Sequence, residues 1–271
     1  MLDFIKRELC ARGIYDASCI SLGECLIQKE HLLRKAGISE GSVIIFTVPY
    51  LTPDSLCARN ISRYAASRDY HAYFEGLFKE LTEKLAGKYP DNKFVGFSDH
   101  SPINEVHAAA RAGLGVIGGN RLLITSKYSS FVFIGEIITD AELPSSACEI
   151  RKCEGCGACE AGCAVSLDIS RCLSAITQKK GELSPAEAEL IRQSGCAWGC
   201  DVCQLVCPHT KRALADKSIF TNIDFFKSDI TQSIDKEFIN SMSDEDFASR
   251  AYSWRGRSVL IRNLDILERE E

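Results

Sequence analysis

The chain has 271 residues, 45% hydrophobic and 25% charged, with a net charge of −5. That much apolar content over that length builds a sizeable core, in one large domain or two smaller ones, and excludes a disordered chain. The negative balance argues against a broad nucleic-acid footprint, and the longest apolar runs, such as Val43-Ile44-Ile45-Phe46, are too short to cross a bilayer.

Leu2, Ile5 and Leu9 stand at helical spacing and open a helix over residues 1–12. Residues 42–48 read as a buried strand, stopped by Pro49 and Pro53. Phe74, Leu77, Phe78, Leu81 and Leu85 form a helical stripe that ends before Pro90. Residues 94–97 are a short strand leading into Ser98-Asp99, and residues 105–111 a helix ending at Gly113. Residues 122–125 and 131–139 read as two strands joined by a turn at 127–130. Ser184-Pro185-Ala186-Glu187 starts a capped helix, and the tail from residue 222 reads as helical, packing on the core. Three blocks are expected: a mixed α/β block over 1–145, a loop-rich cysteine block over 146–215, and a helical tail over 216–271.

Cys153, Cys156, Cys159 and Cys163 read C-x2-C-x2-C-x3-C, and Cys200, Cys203 and Cys207-Pro208 read C-x2-C-x3-C-P. Two-cluster ferredoxins hold a pair of 4Fe–4S cubanes with this spacing, the last Cys of each run serving the other cluster. Cys153, Cys156, Cys159 and Cys207 then hold one cubane, and Cys163, Cys200 and Cys203 take part in the second. Zinc would need only four ligands and leave three of these thiols unused. Two cubanes need eight thiolates and the runs supply seven, because Ala197 stands where the second run would begin. Cys172 and Cys196 both remain as the eighth. Fourteen clustered cysteines, and an N-terminus charged from Asp3 without a signal-like apolar stretch, point to a reducing cytoplasm.

A bare electron carrier needs little beyond the cysteine block, so the first block is expected to hold a substrate or a second cofactor. Three segments there carry chemistry: Arg63-Tyr64-Ala65-Ala66-Ser67-Arg68-Asp69-Tyr70-His71, Asp99-His100-Ser101-Pro102-Ile103-Asn104-Glu105, and Gly113-Leu114-Gly115-Val116-Ile117-Gly118-Gly119-Asn120. The glycine segment has G-x-G-x-x-G spacing but no preceding strand, which argues against a dinucleotide site. Its glycines either let the backbone approach something large and flat or make a tight helix-to-strand turn. Asp69, His71 and Asp99 can equally be read as helix-start residues. His100, His107 and His209 show no metal-ligand spacing.

Together these segments resemble the epoxyqueuosine reductase family, relatives of the reductive dehalogenases that carry cobalamin and two 4Fe–4S clusters. The resemblance rests on R-Y-A…D-Y-H, D-x-x-P-x-x-E, A-G-L-G-x-I-G-x-N, Gly135-Glu136-Ile137-Ile138-Thr139, both cysteine runs, Arg171-Cys172-Leu173-Ser174, Gly199-Cys200-Asp201-Val202-Cys203-Gln204 and Arg262-Asn263. It implies an α+β protein, with an α/β cobalamin domain followed by a ferredoxin-like double-cluster domain. It implies that Asp99 is the catalytic proton donor facing the cobalt and that Cys172 is the eighth thiolate, completing the second cluster with Cys163, Cys200 and Cys203. Arg63, Tyr64, Asp69, His71, Gly113, Gly115, Gly118 and Asn120 become the expected cobalamin contacts.

The implied activity is reductive removal of an epoxide oxygen or similar leaving group, in queuosine biosynthesis and tRNA processing. Partners expected with it are a low-potential donor of flavodoxin or ferredoxin type and a small or nucleoside-like substrate, the chain acting as a cytoplasmic monomer with no membrane contact. The departures bear on the substrate. Val116 and Gly119 replace the family's usual Trp and Lys, Val106 a common Arg, and Ala164 a Pro. The chain also stops soon after Arg262-Asn263, where members acting on tRNA continue into a helical-repeat extension, so weak tRNA binding is expected. Readings from other classes are a non-catalytic double-cluster electron-transfer protein and a cobalamin-reducing or carrier protein.

Overall fold

Contacts in the computed structural model, which describes residues 1–268, divide the chain into two interleaved units. The first comprises Met1–Tyr50, His71–Cys156 and Arg212–Ile223, and the second Leu51–Tyr70, Gly157–Lys211 and the chain from Asp224 onward. The expected blocks run consecutively, whereas these units do not: residues 51–70 group with the cysteine segments.

In chain order the elements as far as the cysteine runs are α1 (Leu2–Cys10), β1 (Ala17–Ser21), α2 (Glu30–Ala36), β2 (Ser42–Pro49), α3 (Pro53–Leu56), α4 (Tyr70–Lys88), β3 (Phe94–Phe97), α5 (Glu105–Arg111), β4 (Val116–Ile117), β5 (Leu123–Ile124) and β6 (Val132–Thr139). They are followed by α6 (Ala158–Gly162), α7 (Leu173–Thr177), α8 (Pro185–Ser194), α9 (Val202–Leu205), α10 (Pro208–Ala215), α11 (Lys236–Ser241), α12 (Asp244–Ala248) and α13 (Arg257–Glu268).

The first unit is built on a four-stranded antiparallel sheet of order β1-β2-β6-β3, so its class is α+β. The expected hairpin between residues 122–125 and 131–139 does not form. Thr125 and Ser129 make the turn, but β5 pairs with β4, while all eight residues of β6 pair with β2 and its C-terminal half also with β3. Strand partners are chosen by total ladder length, and β6 satisfies two ladders at the centre of the sheet.

Side-chain alternation then sorts the two faces. On one, Phe46, Phe74 and Phe78 cluster, with Phe74 and Phe78 ring centroids 5.4 Å apart, and dock α4. Gly135 lies opposite Phe46, and a Cβ there would meet the Phe46 and Phe74 rings at 2.6 Å, so only glycine fits. On the other face Ile20, Val43, Ile45 and Ile138 pack with Ala108, Ala109 and Ala110 of α5, whose small side chains permit close approach. Glu136, paired with Ile45, falls on this second face.

The named elements of the second unit are helical. Residues 60–62 run beside residues 197–198, with Ala197 N–H donating to Asn60 O and Ser62 N–H to Trp198 O, both at 2.7 Å. Leu173, Ile176, Ile191 and Ile266 form a core that holds α7, α8 and α13 together. The expected capping box is present: Ser184 Oγ accepts from Glu187 N–H, and Glu187 Oε2 accepts from Ser184 N–H at 2.8 Å.

Candidate active site and cysteine loops

Beyond β3, Ser98 Oγ donates to Ile134 O at 3.0 Å, and the chain turns through Asp99 at φ 61°. This left-handed region is uncommon for any residue but glycine, though Asp enters it more readily than most. The turn is held by Asp99 N–H, which donates to Glu105 Oε1 at 2.7 Å. Asp99 does not cap α5. That role belongs to Asn104, whose Oδ1 accepts from His107 N–H at 3.0 Å. His71, 28 positions earlier in the chain, brings Nε2 to 3.6 Å from Asp99 Oδ2, with both side chains more than half exposed. So exposed a pair adds under about 1 kcal/mol to stability. Its consequence is orientation of an accessible acid.

Residues 26–29 lie along this loop. Asn104 N–H donates to Leu26 O, and Gln28 and Lys29 N–H both donate to Pro102 O. Leu26 and Ile27 are exposed there and form an apolar ledge along residues 102–104, while Lys29 Nζ reaches 3.2 Å from His100 Nδ1. Behind the loop are two carboxyl groups to which the motifs assigned no role. Glu136 is fully buried, and its Oε2 accepts from Ser101 Oγ at 2.7 Å. Burial, and then the charge of Asp99, push Glu105 up to about 7, and burial, followed by the charge of Glu105, raises Glu136 well above the usual carboxylate range. A charged residue in the middle of an otherwise apolar strand was the available signal for Glu136.

The glycine segment has its own packing logic. A Cβ on Gly115 would meet Ile124 O at 2.5 Å, and one on Gly118 would meet Asn120 Oδ1 at 2.4 Å. These positions are small because β4 closes onto β5. Gly113 makes a left-handed turn at φ 77° after α5.

In the second unit Arg63 and Tyr64 meet the cysteine segment. Asp201, between Cys200 and Cys203, is buried and accepts from Ser62 Oγ at 2.5 Å, Arg63 N–H at 2.7 Å and Gln204 Nε2 at 3.1 Å, with Arg63 Nη1 at 3.4 Å. Tyr64 Oη accepts from the buried Trp198 Nε1 at 2.9 Å. Asp69, just before α4, gives its N–H to Ser249 O. These contacts show R-Y-A bracing the cysteine loop.

Cys163, Cys172 and Cys196 all lie within electrostatic range of Cys200. Cys196 packs beside the Leu173–Ile191 core, and burial pushes its thiol up to about 11. Val202 N–H donates to Cys200 Sγ, and in the first unit Gly119 N–H donates to Cys153 Sγ at 3.3 Å. Hydrogen bonds of this kind to cluster sulfurs tune a cluster's reduction potential. Among the described residues no three His, Cys, Asp or Glu converge tightly enough to share one metal ion. The fourteen cysteines are all free thiols. Of the expected first-cluster ligands, Cys153 and Cys156 belong to the first unit and Cys159 and Cys207 to the second.

The chain thus combines an antiparallel α+β unit carrying an exposed, hydrogen-bonded acid loop with cysteine runs of ferredoxin spacing. Residues 34–100 match the family model described as "Epoxyqueuosine reductase QueG, DUF1730". An epoxyqueuosine reductase of Gloeobacter violaceus is 34% identical over 218 residues, covering 76% of this chain and 68% of that protein. The chain belongs to the epoxyqueuosine reductase family. A Lactococcus garvieae relative is 30% identical over 217 residues, covering 76% of this chain and 60% of its own length. The chain thus spans about 60% of that protein and, at 59%, of one from Aliivibrio fischeri. The solved epoxyqueuosine reductase of Streptococcus thermophilus has the same fold, with TM-score 0.76 over 98% of this chain and 80% of that one, at 21% identity. No helix among the described residues is long and apolar enough to cross a membrane.

Proposed function

We propose that this chain is a cobalamin-dependent iron–sulfur reductase that removes an epoxide oxygen, or a similar leaving group, from a nucleoside-like substrate. The observation that carries this reading is Asp99, exposed, set beside His71 and pinned through its N–H by Glu105, while Asn104 takes the capping role. The donor set suits the cofactors: N–H groups aimed at Cys153 and Cys200 suit cluster thiolates, and the Leu26–Ile27 ledge suits the face of a corrin ring. When bound, these groups supply low-potential electrons and the nucleophile.

The chain's own residues supply the rest. Asp99 gives its carboxyl proton to the departing oxygen, a general-acid contribution of about 10²–10⁴-fold. His71 orients that carboxyl, and Glu105 fixes the loop. Leu26 and Ile27 exclude water along the acid loop. Cys172 completes the second cluster with Cys163, Cys200 and Cys203, while Arg63 and Tyr64 act indirectly by bracing the Cys200–Cys203 loop. Gly113, Gly115, Gly118 and Asn120 shape a wall of the cofactor site by close backbone packing, and Asp69 anchors the start of α4. One Bacillus subtilis relative was solved with its catalytic aspartate loop swung out of the active site, and we assign residues 98–104 as the corresponding loop here.

Another relative was solved with an epoxyqueuosine-modified tRNA stem loop. With a net charge of −5, this chain is expected to bind tRNA no tighter than about 10⁻⁴–10⁻⁶ M at physiological salt, the non-specific range. A gel shift at that salt checks this. The electron donor in this reading is a flavodoxin or ferredoxin, and the chain works as a cytoplasmic monomer.

Anaerobic purification with added cobalamin tests the cofactor content, with about eight iron and one cobalt expected per chain. Iron without cobalt, and no turnover of an epoxyqueuosine nucleoside or stem loop, would favour a plain electron carrier.

A further inference from the structure

Glu136 is a carboxylic acid placed where all its strand neighbours are apolar. Strand alternation turns it toward α5, it is fully buried, and Ser101 Oγ satisfies its Oε2. Its Oε1 is buried and has no N–H or protein hydroxyl donor among the described residues. A buried carboxylate oxygen left without a donor is costly. The group facing it is the carboxyl of Glu105, close enough for a hydrogen bond between the two carboxyls. Two carboxyls can make that bond only if one carries a proton, and that proton is the missing donor. Glu105 in turn holds Asp99 N–H. A continuous chain therefore runs from Ser101 through Glu136 and Glu105 to the acid loop.

We propose that Glu136 and Glu105 share one proton at neutral pH and together latch the Asp99 loop, Glu136 acting as a positioning residue through Glu105. This deepens the reading of Asp99 as proton donor and rests on it. With one proton in the pair, Glu136 donates to Glu105, and Glu105 keeps a negative oxygen for Asp99 N–H. That holds Asp99 at its left-handed φ. When the pair loses the proton, two buried carboxylates and Asp99 repel one another, and the latch releases.

The other groups facing the pair are few. Lys29, ahead of α2, favours the ionised form of Glu105. The Cys25 thiol is near Glu136 and Glu24; burial, and then those charges, push it up to about 12, so it stays neutral. Ser101 contributes a hydroxyl donor. Single-proton occupancy is thus set first by burial and then by the charges of the two carboxyls and of Asp99.

The test uses the full chain and two readouts that need no turnover. Infrared spectra in D2O across neutral pH should show a protonated-carboxyl band that persists above the ordinary glutamate range and is absent in Glu136→Gln. Amide exchange should show Asp99 N–H protected in the wild type and in Glu136→Gln, whose side-chain amide replaces the lost O–H donor. In Glu136→Leu, which has no donor, protection should fall about tenfold or more, about 1.4 kcal/mol or greater. Turnover should follow the same order, with the alkaline limb of its pH profile moved upward in Glu136→Gln. A loop displaced by about 1 Å in Glu136→Leu would lower kcat by roughly 10²-fold. Glu105→Gln, which keeps an acceptor for Asp99 N–H, is the second variant; burial alone holds the proton on Glu136 there, so the band should remain. No such band in the wild type, a band that survives Glu136→Gln, or equal protection in Glu136→Leu and the wild type would overturn the proposal. Because these readouts are independent of activity, a failed assignment of Asp99 as the acid would show separately, as normal turnover in Asp99→Asn with the latch intact.

Discussion

Asn263 offers the sharpest test of how the cysteine unit is held together. It is fully buried, and its Nδ2 donates to Thr177 O at 2.7 Å and to Ala197 O at 2.8 Å. Its Oδ1 accepts from Arg262 Nε at 3.1 Å and Nη2 at 2.9 Å, while Arg262 Nη1 donates to Lys179 O and Gly181 O. Thr177 Oγ1 also receives Gly199 N–H at 2.9 Å. One amide therefore ties the end of α7 to the segment that leads into Cys200. Asn263→Ala strips this donor from two buried carbonyls, each costing about 1–3 kcal/mol. The two together come to about 2–6 kcal/mol, and water entering the vacated space brings the total to the lower part of that sum, about 2–3 kcal/mol. For a chain of this size that is a fall in Tm of roughly 5–10 °C. Asn263→Asp is the informative partner, since it keeps the shape but faces both carbonyls with acceptors, and it should be destabilised at least as much as the Ala variant. Urea unfolding of the cluster-loaded chain, followed by cluster absorbance and far-ultraviolet circular dichroism, measures both. A wild-type midpoint for Asn263→Asp would refute the donor argument outright.

Asp99→Asn should lower turnover by about 10²–10⁴-fold with iron and cobalt content unchanged, because Asn keeps the shape but has no acidic proton; single-turnover kinetics with metal analysis decide it. Cys172→Ala should remove or degrade one cubane, whereas Cys196→Ala should keep about eight iron, and the reverse result would exchange their roles. Stability should also depend on pH through the buried carboxyl pair. The folded value of Glu105, about 7, lies above its ordinary 4.5. The folded state therefore binds the extra proton between these values, and the associated stability, present below about pH 4.5, is lost as pH rises through about 7. At about 1.4 kcal/mol per pH unit the loss is at most about 3 kcal/mol. Urea midpoints from pH 5 to 8 should fall along this slope and flatten in Glu136→Gln.

Legibility in the sequence followed the range of the interaction. Features written within a few residues were readable: the α4 stripe from Phe74 to Leu85, the Ser184 capping box, and the cysteine spacing. Features decided by partners far along the chain were not. Ala17–Ser21 is short and carries two serines, and it becomes β1 only because β2 supplies a full ladder from Ala17–Phe46 to Ser21–Ser42. Asp99 and Asn104 are both good capping residues by type, and only the geometry shows that Asn104 caps α5.

The same distinction separates Glu136 from Asp99. Asp99 lies in a polar loop, where an acid is conspicuous as chemistry. Glu136 sits in Gly135-Glu136-Ile137-Ile138-Thr139, a stretch that reads as a strand with one residue out of character. Whether such an acid faces water or the core depends on which face alternation gives it, and that depends on the register with β2. Once Ile45 is its partner, Glu136 must point toward α5, and desolvation then requires a donor for each oxygen. Ser101 supplies one, and Glu105 can accept the other only as half of a protonated pair. The protonation state of the acid loop's support is thus a consequence of strand register: shifting β6 by one residue would expose Glu136, free its proton, and leave Asp99 N–H with a carboxylate that nothing behind it controls.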